Sequence, residues 1–239
     1  MRNVVVTGAG TGIGRATARR LHGGGAHVTL IGRRPGPLHD LAGELGDRAV
    51  AVPVDLTDPE AVGRAVLPDV VDVLVNNAGG NTDLSGGGPG DDLAGVARSW
   101  RANLDANLLS AVLATTAVRD RLRPGGTVVN VGSIAADKGA GSYGAAKAAL
   151  ACWTVDLAGQ LGPADVTVNT LAPGYVAGTE FFGDHLDDDR RAALVAAAAT
   201  RRASLPDDVA AAAEFLASPG ARQITGQVLA VNGGEHRRR

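Results

Sequence analysis

Lysine, tyrosine and cysteine are nearly missing from this 239-residue chain, which has two lysines, two tyrosines and one cysteine. The lone Cys152 excludes an internal disulfide, and its place in a predicted helix reads as a small buried side chain. No apolar run reaches the roughly 20 residues that a bilayer span needs. The opening residues run straight into a strand pattern without a secretory signal, so the expected compartment is the cytoplasm. Neither charge sign dominates: the formal net charge is -2, which calls for neither nucleic acid nor an anionic membrane as partner. The terminal Arg237-Arg238-Arg239 reads as a solvated end. No His, Cys or carboxylate cluster has metal-ligand spacing, so no metal is expected.

Glycine is abundant, at 34 residues, and arginine stands almost everywhere that lysine would. A lone glycine is therefore weak evidence and a lysine better evidence. The apolar pattern alternates short strands with helices. Strands are predicted at Val4–Val6, His27–Ile31, Ala49–Val54, Val71–Val75, Thr127–Val131, Val166–Thr170 and Val228–Val231. Helices are predicted at 15–21, 38–45, 59–66, 93–118 (broken once), 143–161 and 206–216, with Leu205 as a flanking apolar contact of the last. Residues 79–90 read as a Gly- and Asn-rich loop, and 173–202 follows no single pattern. Such alternation predicts an α/β fold: one domain over 1–239, a Rossmann-type doubly wound parallel sheet with helices on both faces.

Thr7-Gly8-Ala9-Gly10-Thr11-Gly12-Ile13-Gly14 lies between the first strand and the first helix. Gly8 permits a tight turn, and Gly12 and Gly14 let a pyrophosphate approach the backbone at the helix N-terminus. The spacing is the wide G-x-x-x-G-x-G, and no Gly-Lys-Ser/Thr follows to make a P-loop. The competing reading is a plain turn in a glycine-rich protein. After the second strand, where an acidic residue would hold the ribose 2′-hydroxyl of NAD, the chain has Gly32-Arg33-Arg34. Arg33 can pair with a 2′-phosphate, which favours NADP and leaves NAD as the alternative. Solvated loop charges are the bland reading of both arginines. Asp55 is a candidate acceptor for the adenine amino group, or an ordinary loop aspartate.

One tyrosine and one lysine meet in Tyr143-Gly-Ala-Ala-Lys147, four apart on a predicted helix and so on one face. An ammonium beside a phenol stabilises the phenolate and lowers the tyrosine pKa toward working range. Such a phenol gives a proton to a carbonyl oxygen during reduction and takes it back during oxidation. Ser133, just past a strand end, can polarise the same carbonyl. Ser142 is the poorer serine, since it would not reach that oxygen.

Gly8-x-x-x-Gly12-x-Gly14, Asn76-Asn77-Ala78-Gly79, Ser133, Tyr143-x-x-x-Lys147, Pro173-Gly174 and the closing Ile224–Gly234 together resemble the short-chain dehydrogenase/reductase family over nearly the whole chain. The resemblance implies four catalytic residues, Asn107, Ser133, Tyr143 and Lys147, with Asn107 helping to bind a water that relays protons to Lys147. It implies cofactor contacts from Gly8, Thr11, Gly12, Ile13, Gly14, Arg33, Asp55, Leu56, Asn77, Ala78 and Gly79. Tyr143, Lys147, Pro173, Gly174, Val176 and Thr179 complete that set, Lys147 through the nicotinamide ribose. A homotetramer or homodimer is implied through the helices of 93–118 and 143–161 and through the C-terminal segment.

One departure stands out. The family commonly has about twelve residues between its serine and tyrosine, and here nine do. The shorter loop carries Asp137 and Lys138 and should reshape the substrate pocket. Residues 177–202 resemble the variable substrate lid. Phe181 and Phe182 close on an apolar or acyl part of a substrate, or pack against the protein itself. His185 is a candidate substrate contact or a surface histidine, and Asp187, Asp188 and Asp189 cap the helix that follows. The broad pattern is similar to 3-oxoacyl-thioester reductases and secondary-metabolism ketoreductases. The expected activity is thus NADPH-dependent reduction of a small-molecule ketone to a secondary alcohol. A sugar, cyclitol or steroid alcohol dehydrogenase, and a catalytically silent dinucleotide-binding regulator, are the alternatives.

Overall fold

The computed structural model describes residues 1–85, 92–183 and 185–237. Its strands are β1 (Asn3–Thr7), β2 (His27–Gly32), β3 (Ala49–Pro53), β4 (Val71–Asn76), β5 (Leu122–Val131), β6 (Thr167–Pro173) and β7 (Val228–Val231). They form one sheet in the order β3-β2-β1-β4-β5-β6-β7, with every pairing parallel. The helices are α1 (Gly12–Gly23), α2 (Pro35–Leu45), α3 (Pro59–Arg64), α4 (Thr82–Ser85), α5 (Leu93–Leu104), α6 (Ser110–Val118), α7 (Ala135–Lys138), α8 (Gly141–Leu161), α9 (Asp188–Ala197) and α10 (Pro206–Leu216). This is the expected Rossmann-type α/β architecture.

Successive side chains of a strand point to opposite faces, and both faces here are apolar. Val4 and Val6 of β1, Val73 and Val75 of β4, and Val129 and Val131 of β5 enter one core. That core is closed by Ala18 and Leu21 of α1, Leu38 and Leu41 of α2, and Val209 and Leu216 of α10. Val5, Leu74 and Val128 point the other way, onto Val62 of α3, Val118 of α6, and Leu157 and Leu161 of α8. Emptying one of these positions, as in Leu38→Ala, would cost about 2–5 kcal/mol.

The chain winds from β1 out to β3, then returns to place β4 on the other side of β1. That reversal opens a crevice at the carboxyl ends of β1 and β4. Both glycine-bearing segments singled out by sequence, 8–14 and 76–79, follow those two strand ends.

Several expectations needed correction. The predicted break in 93–118 is a π-helical turn at Asp105–Leu109, between α5 and α6. At its centre the Asn107 side chain donates to Asn103 O at 3.0 Å. A regular helix assigns that carbonyl to the Asn107 N–H, so the turn widens. Cys152 is exposed rather than buried. The inward face of α8 is Leu150, Thr154, Leu157, Ala158 and Leu161, and Cys152 lies off it. Leu205, the expected flanking apolar residue, is 54% exposed. The Asp208 carboxylate accepts from Leu205 N at 2.8 Å at the start of α10. Asp187 caps α9 as expected, accepting from Arg190 N at 2.7 Å. Within the predicted loop 79–90, residues 82–85 form α4, and 86–90 lie outside the described residues, as do Arg238 and Arg239. Among the described residues no helix is long and apolar enough to cross a membrane, and no group of His, Cys, Asp and Glu could hold a metal ion.

Candidate active site

The glycine turn is fixed by what it lacks. Gly8 has φ +62°, where a side chain is strained, and a Cβ there would sit 2.7 Å from Asn77 Nδ2 and 2.9 Å from Ala78 Cα. A Cβ on Gly14 would strike Gly8 O and Asn77 Nδ2. Asn77 uses that closeness, donating to Thr7 O at 3.0 Å and Gly8 O at 3.2 Å. Thr7 Oγ1 accepts from both Asn77 N and Ala78 N at 2.9 Å. The two strand ends are thereby stitched together, with Gly8, Asn77 and Ala78 in mutual contact.

Thr11 precedes α1 and makes no side-chain cap bond, and the first turn has no acidic residue. The amides of Gly12, Ile13 and Gly14 begin a helix whose first turn carries no acidic residue of its own. A Cβ on Gly12 would lie 3.4 Å from Thr179 Cγ2, so Thr179 stands directly over the turn; its hydroxyl donates to Val176 O at 3.1 Å. Val176 and Leu56 are buried supports. A first helical turn without an acidic residue, glycines that clear space above it, and arginines at the end of β2 fit the phosphates of a dinucleotide.

Arg33 and Arg34 are both exposed. Arg33 acts at a distance on Asp55. Burial raises the Asp55 pKa, but bonds from the Thr57 amide and hydroxyl, together with the Arg33 charge, leave it below the usual carboxylate value. Both Thr57 bonds go to Asp55 Oδ1, at 2.9 and 2.7 Å. Arg34 is the arginine that reaches the glycine turn. Its Nη2 lies 2.6 Å from Glu180 Oε2 and 3.4 Å from Thr11 Oγ1. Sequence reasoning reads Arg34 only as a loop charge and passes over Glu180. The available signals are the basic pair itself and an acidic neighbour of Thr179.

At the other end, Tyr143 and Lys147 lie one turn apart in the first half of α8, both buried. Burial pushes the Tyr143 phenol up to about 12, against the lowering effect of its hydrogen bond with Ser133. Burial pulls Lys147 down to about 8. The Lys147 ammonium donates to Val131 O at 2.8 Å and sits 5.9 Å from the Tyr143 ring centroid. The expected lowering of the tyrosine pKa by lysine is therefore not found in this arrangement: the ammonium is turned to a backbone carbonyl, and desolvation governs the phenol. Ser133 accepts from Ala135 N at 3.1 Å, which orients its hydroxyl at the start of α7.

Ser142 is committed elsewhere, donating to Asp83 Oδ2 at 3.0 Å and accepting from Asn103 Nδ2 at 2.9 Å. Asp83 also takes Ser99 Oγ, and Asn103 Oδ1 takes Thr82 N. This network ties the segment after β4 to the start of α8, and no sequence spacing announces it. Asn107 spans Gly80, accepting from its N–H at 3.0 Å and donating to its carbonyl at 2.9 Å. Gly79 has φ +146°, and a Cβ on it would meet Asn107 Oδ1 at 2.5 Å.

The shortened Ser133–Tyr143 connection is braced by the C-terminal segment. Lys138 pairs with Glu235 at 2.7 Å, and His236 lies 3.3 Å from Asp137. The Glu235 side chain is 5% exposed, and its Oε2 would be 2.9 Å from a Cβ on Gly174. Gly174 thus makes room for this carboxylate, and Pro173 ends β6 buried beside it. Phe181 packs on Tyr143 with ring centroids 5.4 Å apart, Phe182 on Phe181 at 4.9 Å and on Tyr175 at 5.9 Å. Of the two readings of these phenylalanines, the arrangement described here is packing against the protein itself. His185 N donates to Phe182 O at 2.9 Å in a backbone turn.

Comparison with known proteins agrees with this fold. The family model described as enoyl-(acyl carrier protein) reductase matches residues 8–236. The short-chain reductase protein NovJ of Streptomyces niveus is 37% identical over 96% of this chain and 92% of its own length. A 3-oxoacyl-(acyl-carrier-protein) reductase, FabG of Vibrio cholerae, is 34% identical over 96% of this chain and 95% of its own. Among solved structures, a short-chain dehydrogenase/reductase from Brucella melitensis, described as a glucose/ribitol dehydrogenase, superposes with a TM-score of 0.87 at 26% identity, covering 99% of this chain and 97% of that one.

Proposed function

We propose a function for this chain, which belongs to the short-chain dehydrogenase/reductase family: it is an oxidoreductase that reduces a ketone to a secondary alcohol with NADPH, on a 3-oxoacyl thioester or a polyketide-like carbonyl. The reading is carried by one observation. A buried phenol hydrogen-bonded to Ser133 shares an α8 face with a buried lysine. Bound NADPH supplies the reducing equivalent at its nicotinamide ring.

The chain's own groups handle the carbonyl oxygen. The Ser133 hydroxyl donates a hydrogen bond to it and stabilises the charge that develops there. Tyr143 gives it a proton as general acid, and takes one back in the reverse direction. Lys147, whose ammonium faces Val131 O in the arrangement described, is assigned the nicotinamide ribose hydroxyls. Its depressed pKa lets it pass a proton on at working pH, whereas an ordinary lysine would hold its proton. Asn107 is assigned the relay position implied by the family likeness; its π turn packs against α8.

Gly8, Thr11, Gly12, Ile13 and Gly14 hold the pyrophosphate in this reading, Arg33 with Arg34 the 2′-phosphate, and Asp55 and Leu56 the adenine. Asn77, Ala78 and Gly79, with Pro173, Gly174, Val176 and Thr179, line the remainder. The absence of a carboxylate in Gly32-Arg33-Arg34 supports NADP over NAD. Residues 177–202 are assigned as the substrate lid, and an acyl portion would have to part the Phe181 and Phe182 rings from Tyr143 and Tyr175 to lie among them. A polyol is the second reading, favoured by the likeness to the Brucella glucose/ribitol dehydrogenase. Exposed Val96, Trp100 and Leu109 on one helical run and Val155 on α8 support a homodimer or homotetramer. Cytoplasmic residence completes the proposal.

The test is a panel of 3-oxoacyl thioesters, aromatic ketones and polyols with NADPH and NADH, run on wild type and Tyr143→Phe. Turnover is expected with the first two groups and to fall about 10²–10⁴-fold in the variant. Undiminished turnover in the variant ends the proposal.

A further inference from the structure

We propose that Glu180 is a built-in competitor for the 2′-phosphate of the cofactor and sets how strongly this chain prefers NADP(H) to NAD(H). The inference rests on the dinucleotide reading of the glycine turn given above. Arg34 follows β2, where the adenosine ribose of a dinucleotide lies at the edge of such a sheet. It is the described arginine of that loop which touches the glycine turn, through Thr11 Oγ1 at 3.4 Å. Its guanidinium carries an anion from the chain itself: Glu180 Oε2 at 2.6 Å, also 3.5 Å from Thr11 Oγ1. A carboxylate and a phosphate use the same fork of N–H donors, so both cannot take it in full.

Glu180 comes from the segment between β6 and α9, far from Arg34 in sequence, and is flanked by two residues already placed at the cleft. Thr179 stands over Gly12, and Phe181 packs on Tyr143. A 2′-phosphate must displace this carboxylate to reach Arg34, whereas a 2′-hydroxyl need not. The pair is exposed, 59% for Arg34 and 62% for Glu180, so the competition is modest and reversible. Removing the carboxylate charge should therefore tighten 2′-phosphorylated ligands only.

The experiment is calorimetric binding of 2′,5′-ADP, 5′-ADP, NADP⁺ and NAD⁺ to the cofactor-free chain, for wild type, Glu180→Gln, Arg34→Ala and the double variant. Glu180→Gln is expected to tighten 2′,5′-ADP and NADP⁺ about three- to fivefold, with 5′-ADP and NAD⁺ unchanged. The gain should vanish in the Arg34→Ala background and shrink as salt is raised. An unchanged NADP⁺ to NAD⁺ ratio in Glu180→Gln overturns the assignment. So does a gain that survives without Arg34, since that would be a general charge effect. A wild type that binds both probes alike overturns the NADP reading instead. In that case Glu180→Gln must still create a preference for the phosphorylated probe if the carboxylate masks Arg34.

Discussion

The Gly8–Gly14 turn and the 177–202 segment meet where Thr179 covers Gly12, yet they are held there by different kinds of contact. Around Gly8 and Gly14 the partners are backbone atoms and one amide, packed so closely that no Cβ fits. In the part of 177–202 that faces the cleft, Glu180 and Phe181 are held by side chains: an exposed ion pair from Glu180 and a tilted ring stack from Phe181. Backbone packing has one solution and is expensive to disturb. An exposed pair is worth about 0–1 kcal/mol and exchanges readily for another partner. The first arrangement suits a fixed cradle for the constant part of a ligand, and the second suits a wall that must accommodate a variable one.

The most severe way to break this contrast is Gly14→Val. Its side chain would collide with Gly8 O and dislodge Asn77, and the cost should exceed about 3 kcal/mol in urea unfolding, with dinucleotide binding lost. A melting point within a degree of wild type would show that the turn yields as easily as the segment above it.

Lys147 belongs to the rigid side, since a buried ammonium is tied to a backbone carbonyl. Its native pKa is depressed to about 8, from an ordinary value of 10.5. Between those pH values the unfolded chain keeps a proton that the native chain has released. Native stability relative to Lys147→Met should therefore rise as pH increases across this window and be lost again as pH falls through about 8. The difference amounts to about 3 kcal/mol at most. Parallel stability curves for the two proteins between pH 8 and 10.5 would place the ammonium in water.

The smallest effect is expected from Phe181→Ala. Losing the contact with Tyr143 should cost about 0.5–1.5 kcal/mol of stability, while the Michaelis constant for an acyl substrate rises several-fold and that for a small ketone does not. A loss of stability like that of Gly14→Val would mean that the segment is part of the core.

What was legible followed the same division. Gly8, Gly12 and Gly14 stand out because a missing side chain is a residue identity. Tyr143 and Lys147 stand out because their types are rare in this chain and their spacing fits one helix face. Val4–Val6, 206–216 and Val228–Val231 were legible from apolar period alone. Arg34 and Glu180, or Asp83, Ser142 and Asn103, were not legible, since each set joins segments distant in sequence through ordinary polar residues. Cys152 was misplaced because helix position 152 gains its exposure from the rotation of α8 against the sheet, which the local pattern does not record.

By itself the chain's order of residues determined the winding of the sheet, the bare turn after β1 and the phenol–ammonium pair on one helix, because periodicity, missing side chains and helical spacing are local properties. Tertiary structure alone decided that the lysine faces Val131 O, that desolvation governs the phenol, and that Arg34 is held by Glu180. Each of these depends on which groups lose water and which distant partner fills the space, and that is set only when the helices close on the sheet.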